Sequence, residues 1–546
     1  MTTAPPNVPA APSAVREVEM KLHLDPRDLG RVPALPVLRE LADGDPVARR
    51  LRTVYYDTPD LRLYASGVAL RVREEDGRFV QTLKTVNAAA SGDSAAVAVR
   101  KEWDWTIATA DPDLAPLEAE GVAVLVPADA RGALAPLFTT EFQRTTLLLR
   151  PDALTAIELA VDEGRITAGN TGAPISVPIS EVELELKAGR VGSLFGTALT
   201  LQRNVPVRIG TESKAEVGYR LVTGRPPAPV LPEPLGLSPV TTVAEAYRHI
   251  VRHCLRQLLA NEACALVGSD MAGSAMGGAM GGDAEGLHQM RVALRRLRTA
   301  IRLFRPLVGK PQACRAGNGI RWFSGQLGPA REWDVLLSAV IAPLAASGKA
   351  PDGLPALADA ARRARHAPAQ DAVRAIQSPR CTGLILALGA WLEDGRWHSG
   401  AEPARRAQLD RPMSSLSGAW LAVQHAKALK AGKDLSERDG EEAARDRLRR
   451  RLRKLRYTAE FFRGLYAESA TIPFIGALEA MMDALDADHD AVVARTLLRR
   501  LADEDPARRS AADASAKWLA KRAAKRRKQS ADLWKAFRDT PPFWQA

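Results

Sequence analysis

The sequence predicts an α+β protein in which a mainly antiparallel β domain precedes an all-α domain. Charged and apolar residues alternate with period two from Val15 to about Tyr219, which is typical of half-buried strands. After Pro239, apolar residues recur every three to four positions, which is typical of amphipathic helices. The proline-rich stretch Gly224–Pro239 separates the two patterns and indicates a linker.

The two halves divide into individual predicted elements. The strand-like segments are Glu17–Leu24, Ala69–Glu74, Arg78–Lys84, Val99–Ile107, Thr145–Arg150, Thr155–Asp162 and Ser180–Lys187. The helical segments lie near 241–266, 285–308, 331–346, 354–377, 380–394, 414–431, 439–466, 474–487, 489–503 and 508–538. Turn signals such as Glu75-Asp-Gly77 separate the strands.

These patterns predict the domain boundaries. Residues 1–14 are rich in Pro and Ala and read as a disordered tail rather than a signal peptide. We expect a strand domain over 15–222, a linker over 223–240 and a helical domain over 241–546. Since no apolar run approaches about 18 residues, we expect no membrane partner. The four cysteines lack metal-site spacing, so reduced thiols and a cytoplasmic location are expected.

Charge divides the chain in the same place. Residues 1–220 hold 25 Lys and Arg against 30 Asp and Glu, a balance near −5, whereas the remainder holds 51 against 34, near +17. A basic half indicates a polyanionic partner, which could be nucleic acid, an acidic membrane or polyphosphate. The helical half lacks the interleaved aromatic residues that stack on bases, which disfavours nucleic acid.

Charged side chains follow one face of several predicted strands. Glu17, Glu19 and Lys21 share a face because side chains two apart point the same way, and Arg71 and Arg73 do the same. A solvated sheet face is the common explanation of such alternation. If the strands instead close into a barrel with this face inward, carboxylates could hold divalent cations and basic groups could grip phosphate.

The ordered motifs of the strand half resemble those of the CYTH family, the triphosphate tunnel metalloenzymes. Glu17-Val-Glu-Met-Lys21 matches the E-x-E-x-K signature of that family. The match continues in order through Tyr56-Asp-Thr-Pro, Leu70-Arg-Val-Arg73, Gln81-Thr-Leu-Lys84, Arg100-Lys-Glu102, Arg144-Thr, Glu158-Leu-Ala-Val-Asp162, Glu181-Val-Glu-Leu-Glu-Leu-Lys187 and Ser213-Lys214. The resemblance implies an eight-stranded antiparallel β tunnel that is open at both ends.

The resemblance also implies a reaction and its residues. The predicted triphosphate-binding residues are Lys21, Arg71, Arg73, Lys84, Arg144 and Lys214, with Arg100 as a weaker member. The predicted ligands of Mg²⁺ or Mn²⁺ are Glu17, Glu19, Glu183 and Glu185, supported by Glu158 and Glu181. Water would attack a terminal phosphoryl group directly, converting inorganic tripolyphosphate to diphosphate and phosphate.

The helical half contains a repeated basic helix. In His288-Gln-Met-Arg-Val-Ala-Leu-Arg-Arg-Leu-Arg298, basic residues recur every three or four positions beside an apolar stripe. A similar pattern returns 158 residues later, where Arg449 corresponds to Arg291 and Arg453 to Arg295. The repeat predicts two duplicated helical bundles.

The repeated segment resembles the CHAD family, the conserved-histidine α-helical domain. The resemblance rests on the histidine–arginine helix and on the segment from Leu327-Gly-Pro-Ala-Arg331 to Asp334. It implies that inorganic polyphosphate binds to His288, Arg291, Arg295, Arg298, Arg449, Arg453 and Arg456. The second copy has Asp446 where the family histidine should be, so arginines would be the main binding groups. A solvated basic face is the simpler alternative for either helix.

Several functions remain open at the level of sequence. The leading expectation is an inorganic triphosphatase with a polyphosphate-binding domain. Thiamine triphosphate hydrolysis or adenylate cyclisation could use the same tunnel. A non-catalytic polyphosphate-binding protein, associated with polyphosphate granules in the cytoplasm, is an alternative from another class.

Overall fold

The computed structural model describes residues 15–85, 96–169, 174–270, 281–437 and 442–545. They form two compact units. The first comprises the residues up to Pro227 together with Ile385–Asp394, and the second comprises Ala228–Leu384 and the residues from Gly395 onward.

The first unit is built on one antiparallel sheet, to which nine strands contribute within the described residues. The strands are β1 (Val15–Leu24), β2 (Val47–Asp57), β3 (Val68–Glu75), β4 (Arg78–Thr85), β5 (Ala98–Ile107), β6 (Ala135–Asp152), β7 (Thr155–Ala168), β8 (Ile175–Ala188) and β9 (Val207–Gly210). Their order is β5-β4-β3-β2-β6-β7-β8-β1-β9, and β1 also pairs with β5. The strand beyond the eight implied by the family resemblance is β9, a four-residue strand that pairs with Lys21–Leu24 of β1.

Short helices complete the first unit. They are α1 (Pro26–Leu29), α2 (Pro36–Arg39), α3 (Arg62–Ala65), α4 (Ala115–Ala119), α5 (Val191–Asn204) and α6 (Lys214–Thr223). Helix α5 packs against β1 and β8. It buries its own Leu194 and Leu201, and Met20 and Leu22 of β1 are fully buried as well. Because the apolar face of β1 is buried, its charged residues Glu19 and Lys21 lie on the opposite face of the strand.

The second unit is helical in its described residues. Its helices are α7 (Val243–Ala260), α8 (Glu262–Asp270), α9 (Gly281–Val308), α10 (Lys310–Val335), α11 (Ala342–Ala345), α12 (Leu354–Ile376), α13 (Pro379–Asp394, of which Ile385–Asp394 belong to the first unit), α14 (Arg396–Ser399), α15 (Pro403–Leu409), α16 (Ser414–Glu437), α17 (Glu442–Phe462), α18 (Glu468–Glu504) and α19 (Arg509–Asp539). A π-helical segment, Leu336–Ile341, continues α10 into α11. No helix of the described chain has the length and apolarity needed to cross a bilayer.

The two basic helices of the second unit each bury an apolar stripe. Leu294 and Leu297 of α9 are 1% exposed, and Leu452 and Leu455 of α17 are fully buried. The buried Arg296 of α9 donates to Glu460 of α17 over 2.8 Å, which ties the two helices together. Since the apolar stripes face the core, the arginine stripes are left at partly buried positions beside it.

Several elements differ from the sequence-based prediction, including β9 and the helices α1–α6, none of which was predicted. Strand β2 was not predicted, because Arg49, Arg50 and Arg52 occupy its first half and hide the alternation that begins at Leu51. Most of α10, residues 310–330, was not predicted either, since its four glycines and internal proline weaken the helical signal. Helix α18 is continuous over 37 residues, where two separate helices were predicted.

Candidate active site and candidate anion-binding site

The charged strand faces of the first unit surround one cavity of about 530 Å³. The predicted site residues that line it are Glu17, Glu19, Lys21, Arg71, Arg73, Lys84, Arg144, Glu158, Glu183, Glu185 and Lys214. Glu181 lies next to this lining and is 5% exposed. Arg100 is on β5 opposite Glu17, but its side chain lies outside the described part of the structure. The predicted basic and acidic groups are therefore gathered in one place.

Three carboxylates in this region lie close enough together to hold a metal ion. Oxygen atoms of Asp162, Glu181 and Glu183 all lie within 4.8 Å of one another. Strand pairing explains the proximity, because Asp162 of β7 is the cross-strand partner of Glu181 on β8. Oxygen ligands of this kind are the ones that Mg²⁺ and Mn²⁺ prefer. We call Asp162, Glu181 and Glu183 the carboxylate cluster.

Basic side chains hold the carboxylate cluster from several directions. Lys214, at the start of α6, places its Nζ atom 2.6 Å from Oδ2 of Asp162 and 3.1 Å from Oε1 of Glu183, and it also bonds Glu181. Arg144 donates to both oxygens of Asp162, over 2.7 and 2.6 Å, and to Glu183. Lys21 donates to Glu183 as well. The cluster is thus neutralised by protein cations.

These ion pairs shift the pKa values of the groups that form them. Burial disfavours the charged form of Lys21, but Glu183, Glu19 and Glu181 together outweigh burial and raise the pKa of Lys21. Burial likewise opposes ionisation of Glu183, yet the adjacent cations hold its pKa well below the ordinary value. Charged forms therefore dominate on both sides of the pair at neutral pH.

A second charged group lies on strands β1, β3, β4 and β5. The Nζ atom of Lys84 is 2.5 Å from Oε2 of Glu17 and 2.9 Å from Oε2 of Glu102. Arg71 donates to the other oxygen of Glu102 over 2.8 Å. The two carboxylates diverge in acidity: burial raises the pKa of Glu17 to about 7. The pKa of Glu102 falls to about 2 because Arg71 and Lys84 outweigh its own burial.

Arg73 is the cation in the cavity that has the least compensation. Its Nε atom is buried without a hydrogen-bond partner among the described residues. Burial, together with the charges of Arg71 and Arg144, lowers the pKa of Arg73 to about 10. A buried cation that repels its neighbours favours the approach of an anion.

The third charged group is at the β7–β8 end of the cavity. Lys187 lies 2.6 Å from Oε2 of Glu185 and 3.7 Å from Oε1 of Glu158. Glu158 and Glu185 are cross-strand partners. These carboxylates are separate from the carboxylate cluster and more exposed, at 35% and 25% of the side chain.

Asp57 and His23 have contacts that indicate structural roles. Asp57, from Tyr56-Asp-Thr-Pro, accepts from the backbone nitrogens of Thr58, Leu63 and Tyr64 over 2.7, 2.9 and 3.0 Å, and so fixes the turn into α3. His23 lies 3.7 Å from Glu181, and burial lowers its pKa.

Sequence reasoning assigned no role to three charged motif residues of the site. Glu102 and Lys187 line the cavity, and the fully buried Asp162 bonds two of the lining residues, Arg144 and Lys214. The signal for Asp162 was its position four residues after Glu158 on one strand, which places both side chains on the same face. The alternation of Glu102 with Asp104 was a similar signal, since both line the cavity.

The predicted basic residues of the second unit converge from three helices. Arg291 and Arg295 of α9 are close enough to Arg331 of α10 and Arg453 of α17 to influence ionisation. Burial, and then the charges of Arg295, Arg331 and Arg453, lower the pKa of Arg291 to about 10, and Glu332 opposes the shift. Burial, and then the charges of Arg331, Arg295 and Arg291, lower the pKa of His288 to about 4, and Glu285 opposes the shift. We call His288, Arg291, Arg295, Arg331 and Arg453 the basic cluster.

The remaining predicted arginines lie apart from the basic cluster or carry partners of their own. Arg449 is bonded to Asp446 and Asp486. Arg456 pairs with Glu460 over 2.7 Å and with Glu479 over 3.1 Å.

Arg298 belongs to a different group of basic residues, together with Arg302 and Arg321. Burial, and then Arg302 and Arg321, lower its pKa. Its Nε atom is buried without a hydrogen-bond partner in the described part of the chain.

Comparisons with known proteins identify two domain families in the chain. A family model described as the CYTH domain matches residues 15–219, and one described as the CHAD domain matches residues 249–499. An inorganic triphosphatase from Haemophilus influenzae is 32% identical over 208 residues, which are 38% of this chain and 55% of the relative. The chain thus spans about half the length of that curated relative.

Two solved structures illustrate the relatives of each unit. The CHAD domain from the plant Ricinus communis is 29% identical, covers 57% of this chain and 98% of its own, and has a TM-score of 0.48. A Hippeastrum protein, described as an adenylyl cyclase with a dominant triphosphatase activity, is 20% identical, covers 40% and 98%, and has a TM-score of 0.27. From the family models, residues 15–219 are a CYTH domain and residues 249–499 are a CHAD domain.

Proposed function

We propose that the CYTH domain hydrolyses inorganic tripolyphosphate to diphosphate and phosphate with the help of Mg²⁺ or Mn²⁺, and that the CHAD domain binds inorganic polyphosphate. One observation carries the proposal for the first domain. Within the described residues, the cavity is lined by seven basic side chains and by carboxylates that face them. That combination suits a polyanionic substrate together with a divalent cation.

The basic residues bind and orient the substrate. Lys21, Lys84 and Arg71 are mostly buried, with side chains 8%, 19% and 15% exposed. Their positions are fixed by the carboxylates that they contact, so little reorganisation is needed when phosphate oxygens arrive. Arg73 supplies a positive charge that the described carboxylates leave under-compensated.

The carboxylate cluster fits a divalent cation. Asp162, Glu181 and Glu183 offer oxygen atoms at mutual distances that one ion can bridge. When bound, the ion would neutralise phosphate charge and make a water molecule more acidic. Glu17, Glu19, Glu158 and Glu185 stay predicted ligands.

Water is the proposed nucleophile, and the serine hydroxyl in the cavity lining has another role. Ser213 lines the cavity, but its Oγ atom accepts from the backbone nitrogen of Glu216 over 3.2 Å as the N-cap of α6. The Glu216 side chain accepts from the Ser213 backbone nitrogen in return. A hydroxyl held in this capping box lacks the general base that would activate it.

Three aromatic residues of the described chain line the cavity, and their packing favours an inorganic substrate over a nucleotide. Trp103 packs against a hydrophobic core cluster of the first unit. Tyr55 stacks on Phe138, with ring centroids 4.5 Å apart. Phe142 packs beneath Lys214, whose Nζ atom is 4.9 Å from the ring centroid. These two rings are engaged within the protein, so neither is open to stack on a base.

Phosphate release from tripolyphosphate, thiamine triphosphate and ATP tests this assignment. With Mg²⁺ or Mn²⁺ we expect tripolyphosphate to have the highest kcat/KM, and Lys84→Ala to lower it about 100-fold or more. Lys101→Ala is the matched control, because Lys101 is an exposed residue of the neighbouring strand β5. Activity retained in Lys84→Ala would rule out this cavity. Binding without turnover of any of the three would favour a non-catalytic polyphosphate-binding protein.

For the CHAD domain, the support is the basic cluster. A linear polyanion binds through charge neutralisation and counterion release, and spaced arginines are sufficient for this. We expect the full chain to bind inorganic polyphosphate with an affinity that falls steeply as salt is added. The measurement is fluorescence anisotropy of end-labelled polyphosphate at several salt concentrations, and a salt-independent signal would contradict the assignment.

A further inference from the structure

The CHAD domain contains two helix pairs, the first of α9 with α10 and the second of α17 with α18. Equivalent positions in the two pairs carry different charges. Arg291 on α9 lies beside Gly328 on α10, and Arg449 on α17 lies beside Asp486 on α18. Arg449 is 158 residues after Arg291, and Asp486 is 158 residues after Gly328. The same interval relates His288 to Asp446. The two sites therefore differ by two carboxylates.

In the second pair, the carboxylates of Asp446 and Asp486 accept hydrogen bonds from the arginines. The Nη1 atom of Arg449 is 3.0 Å from Oδ1 of Asp486, and its Nη2 atom is 2.8 Å from Oδ1 of Asp446. Arg453 donates to the same Asp486. Asp446 also lies 3.1 Å from Arg450. Charge-assisted bonds of this geometry use the donors that a phosphate group would need.

In the first pair, the corresponding donor on Arg291 has no carboxylate partner among the described residues. The Nη1 atom of Arg291 is buried and has no hydrogen-bond partner among the described residues. A Cβ atom added to Gly328 would lie 3.0 Å from this same Nη1 atom. The Arg291 guanidinium therefore packs directly against Gly328, at the position where the other pair has the Asp486 side chain. A buried guanidinium donor left unpaired is costly, and a bound anion would remove that cost.

The surroundings of Arg291 reinforce its need for an anion. Burial and the charges of Arg295, Arg331 and Arg453 disfavour its charged form, while Glu332 is the carboxylate that partly opposes them. His288 occupies the position equivalent to Asp446, and its charged neighbours are Arg331, Arg295 and Arg291, with Glu285 as the acidic one. The first pair is thus short of negative charge.

We infer that a phosphate group of the polyanion binds at Arg291 in the first helix pair, and that Asp446 and Asp486 act as built-in counter-ions that close the equivalent place at Arg449. This inference rests on the proposed function of the CHAD domain as a polyphosphate-binding module. It makes anion binding asymmetric, although the basic helices of the two copies look alike in sequence.

Matched substitutions in the full-length protein test the asymmetry. Arg291→Gln and Arg449→Gln change net charge equally, so their difference reports local contacts. We expect Arg291→Gln to weaken binding of inorganic polyphosphate about tenfold or more, and Arg449→Gln to weaken it about threefold at most. Arg362→Gln, at an exposed residue of α12 paired with Asp359, controls for the loss of one charge at long range.

A reciprocal exchange tests the role of the carboxylate. Gly328→Asp should place a counter-ion at Arg291 and weaken binding by a factor similar to Arg291→Gln. Asp486→Ala should free Arg453 and the Nη1 donor of Arg449 and tighten binding about threefold or more, with Asp359→Ala as the charge-matched control. Thermal unfolding and tripolyphosphate turnover by the CYTH domain report whether each variant is folded.

The outcomes separate the inference from the proposed function. Equal weakening by Arg291→Gln and Arg449→Gln, or no gain in folded Asp486→Ala, would overturn the asymmetry while leaving polyphosphate binding in place. If the wild-type chain fails to bind polyphosphate at low salt, the proposed function of the CHAD domain itself is overturned.

Discussion

Arg144 and Asp162 form a two-point ion pair across neighbouring strands β6 and β7, with Nε–Oδ1 and Nη2–Oδ2 distances of 2.7 and 2.6 Å. Asp162 is completely buried. The same carboxylate accepts from Lys214 over 2.6 Å. One buried side chain therefore holds two cations of the candidate active site, and its removal would leave both without a principal partner.

The first prediction is that Asp162→Ala destabilises the CYTH domain by about 3–5 kcal/mol, because it breaks buried ion pairs and leaves two buried cations with less compensating charge. The measurement is the free energy of unfolding in urea. Glu75→Ala is the control: Glu75 pairs with the exposed Arg49 on the same sheet, and the loss should be about 1 kcal/mol or less. Similar losses in both variants would contradict the burial argument.

The second prediction concerns Arg73. We expect Arg73→Gln to raise KM for tripolyphosphate about tenfold or more, since the under-compensated guanidinium contributes to binding of the ground state as well as the transition state. Steady-state kinetics measure the effect. Arg78→Gln, at an exposed position of β4, removes the same charge away from the cavity. An unchanged KM in Arg73→Gln would mean that the substrate does not approach this residue.

The third prediction concerns the metal. Glu183→Gln should raise the Mg²⁺ or Mn²⁺ concentration needed for half-maximal activity about tenfold or more, because Glu183 belongs to the carboxylate cluster. Metal titrations at saturating tripolyphosphate provide the measurement. Glu163→Gln is the control, as Glu163 is an exposed neighbour of Asp162 on β7. A metal requirement identical in the two variants would place the ion elsewhere.

The fourth prediction is a pH dependence of stability that comes from Glu17. Its pKa is raised from 4.5 to about 7 mainly by burial. The folded chain therefore holds this proton more tightly than the unfolded chain, so the stabilising contribution is full below about pH 4.5 and is lost as pH rises through about 7. In metal-free buffer, wild type should lose stability relative to Glu17→Gln across that window.

The measurement is the thermal unfolding midpoint of wild type and of Glu17→Gln at several pH values between about 5 and 8. Glu102 does not obscure the effect, because its pKa is lowered to about 2 and its contribution changes only below about pH 4.5, with the opposite sign. Glu163→Gln should follow wild type. Parallel curves for wild type and Glu17→Gln would show that Glu17 is ionised throughout.

Much of the cavity was predictable from strand periodicity. The alternation of Glu17, Glu19 and Lys21 predicted which side chains share a face, and β1 has that face on the cavity. The partners were not predictable, because pairing register is a long-range property. The register sets Lys21 opposite Glu183 and Lys84 opposite Glu102. Strand β2 was not predicted because the arginines in its exposed first half hide the alternation of polar and apolar residues.

In the helical half, the repeat was visible but its consequence was not. The interval of 158 residues paired Arg291 with Arg449, and so predicted equivalent roles for the two. The carboxylate that separates them, Asp486, is on a different helix from Arg449. Contacts between helices distant in sequence do not follow from periodicity, so the difference between the two arginines emerges only from the packing of α17 on α18.

The pairing of Lys21, Lys214 and Arg144 with the carboxylate cluster has a kinetic consequence. Charges that cancel at contact distance project little field into solution, so diffusing tripolyphosphate gains little acceleration on approach. The first 220 residues also carry a slight excess of negative charge. We expect the association rate with tripolyphosphate to depend weakly on ionic strength. Selectivity would then arise after encounter, as phosphate oxygens take over lysine and arginine donors that the carboxylates hold at rest.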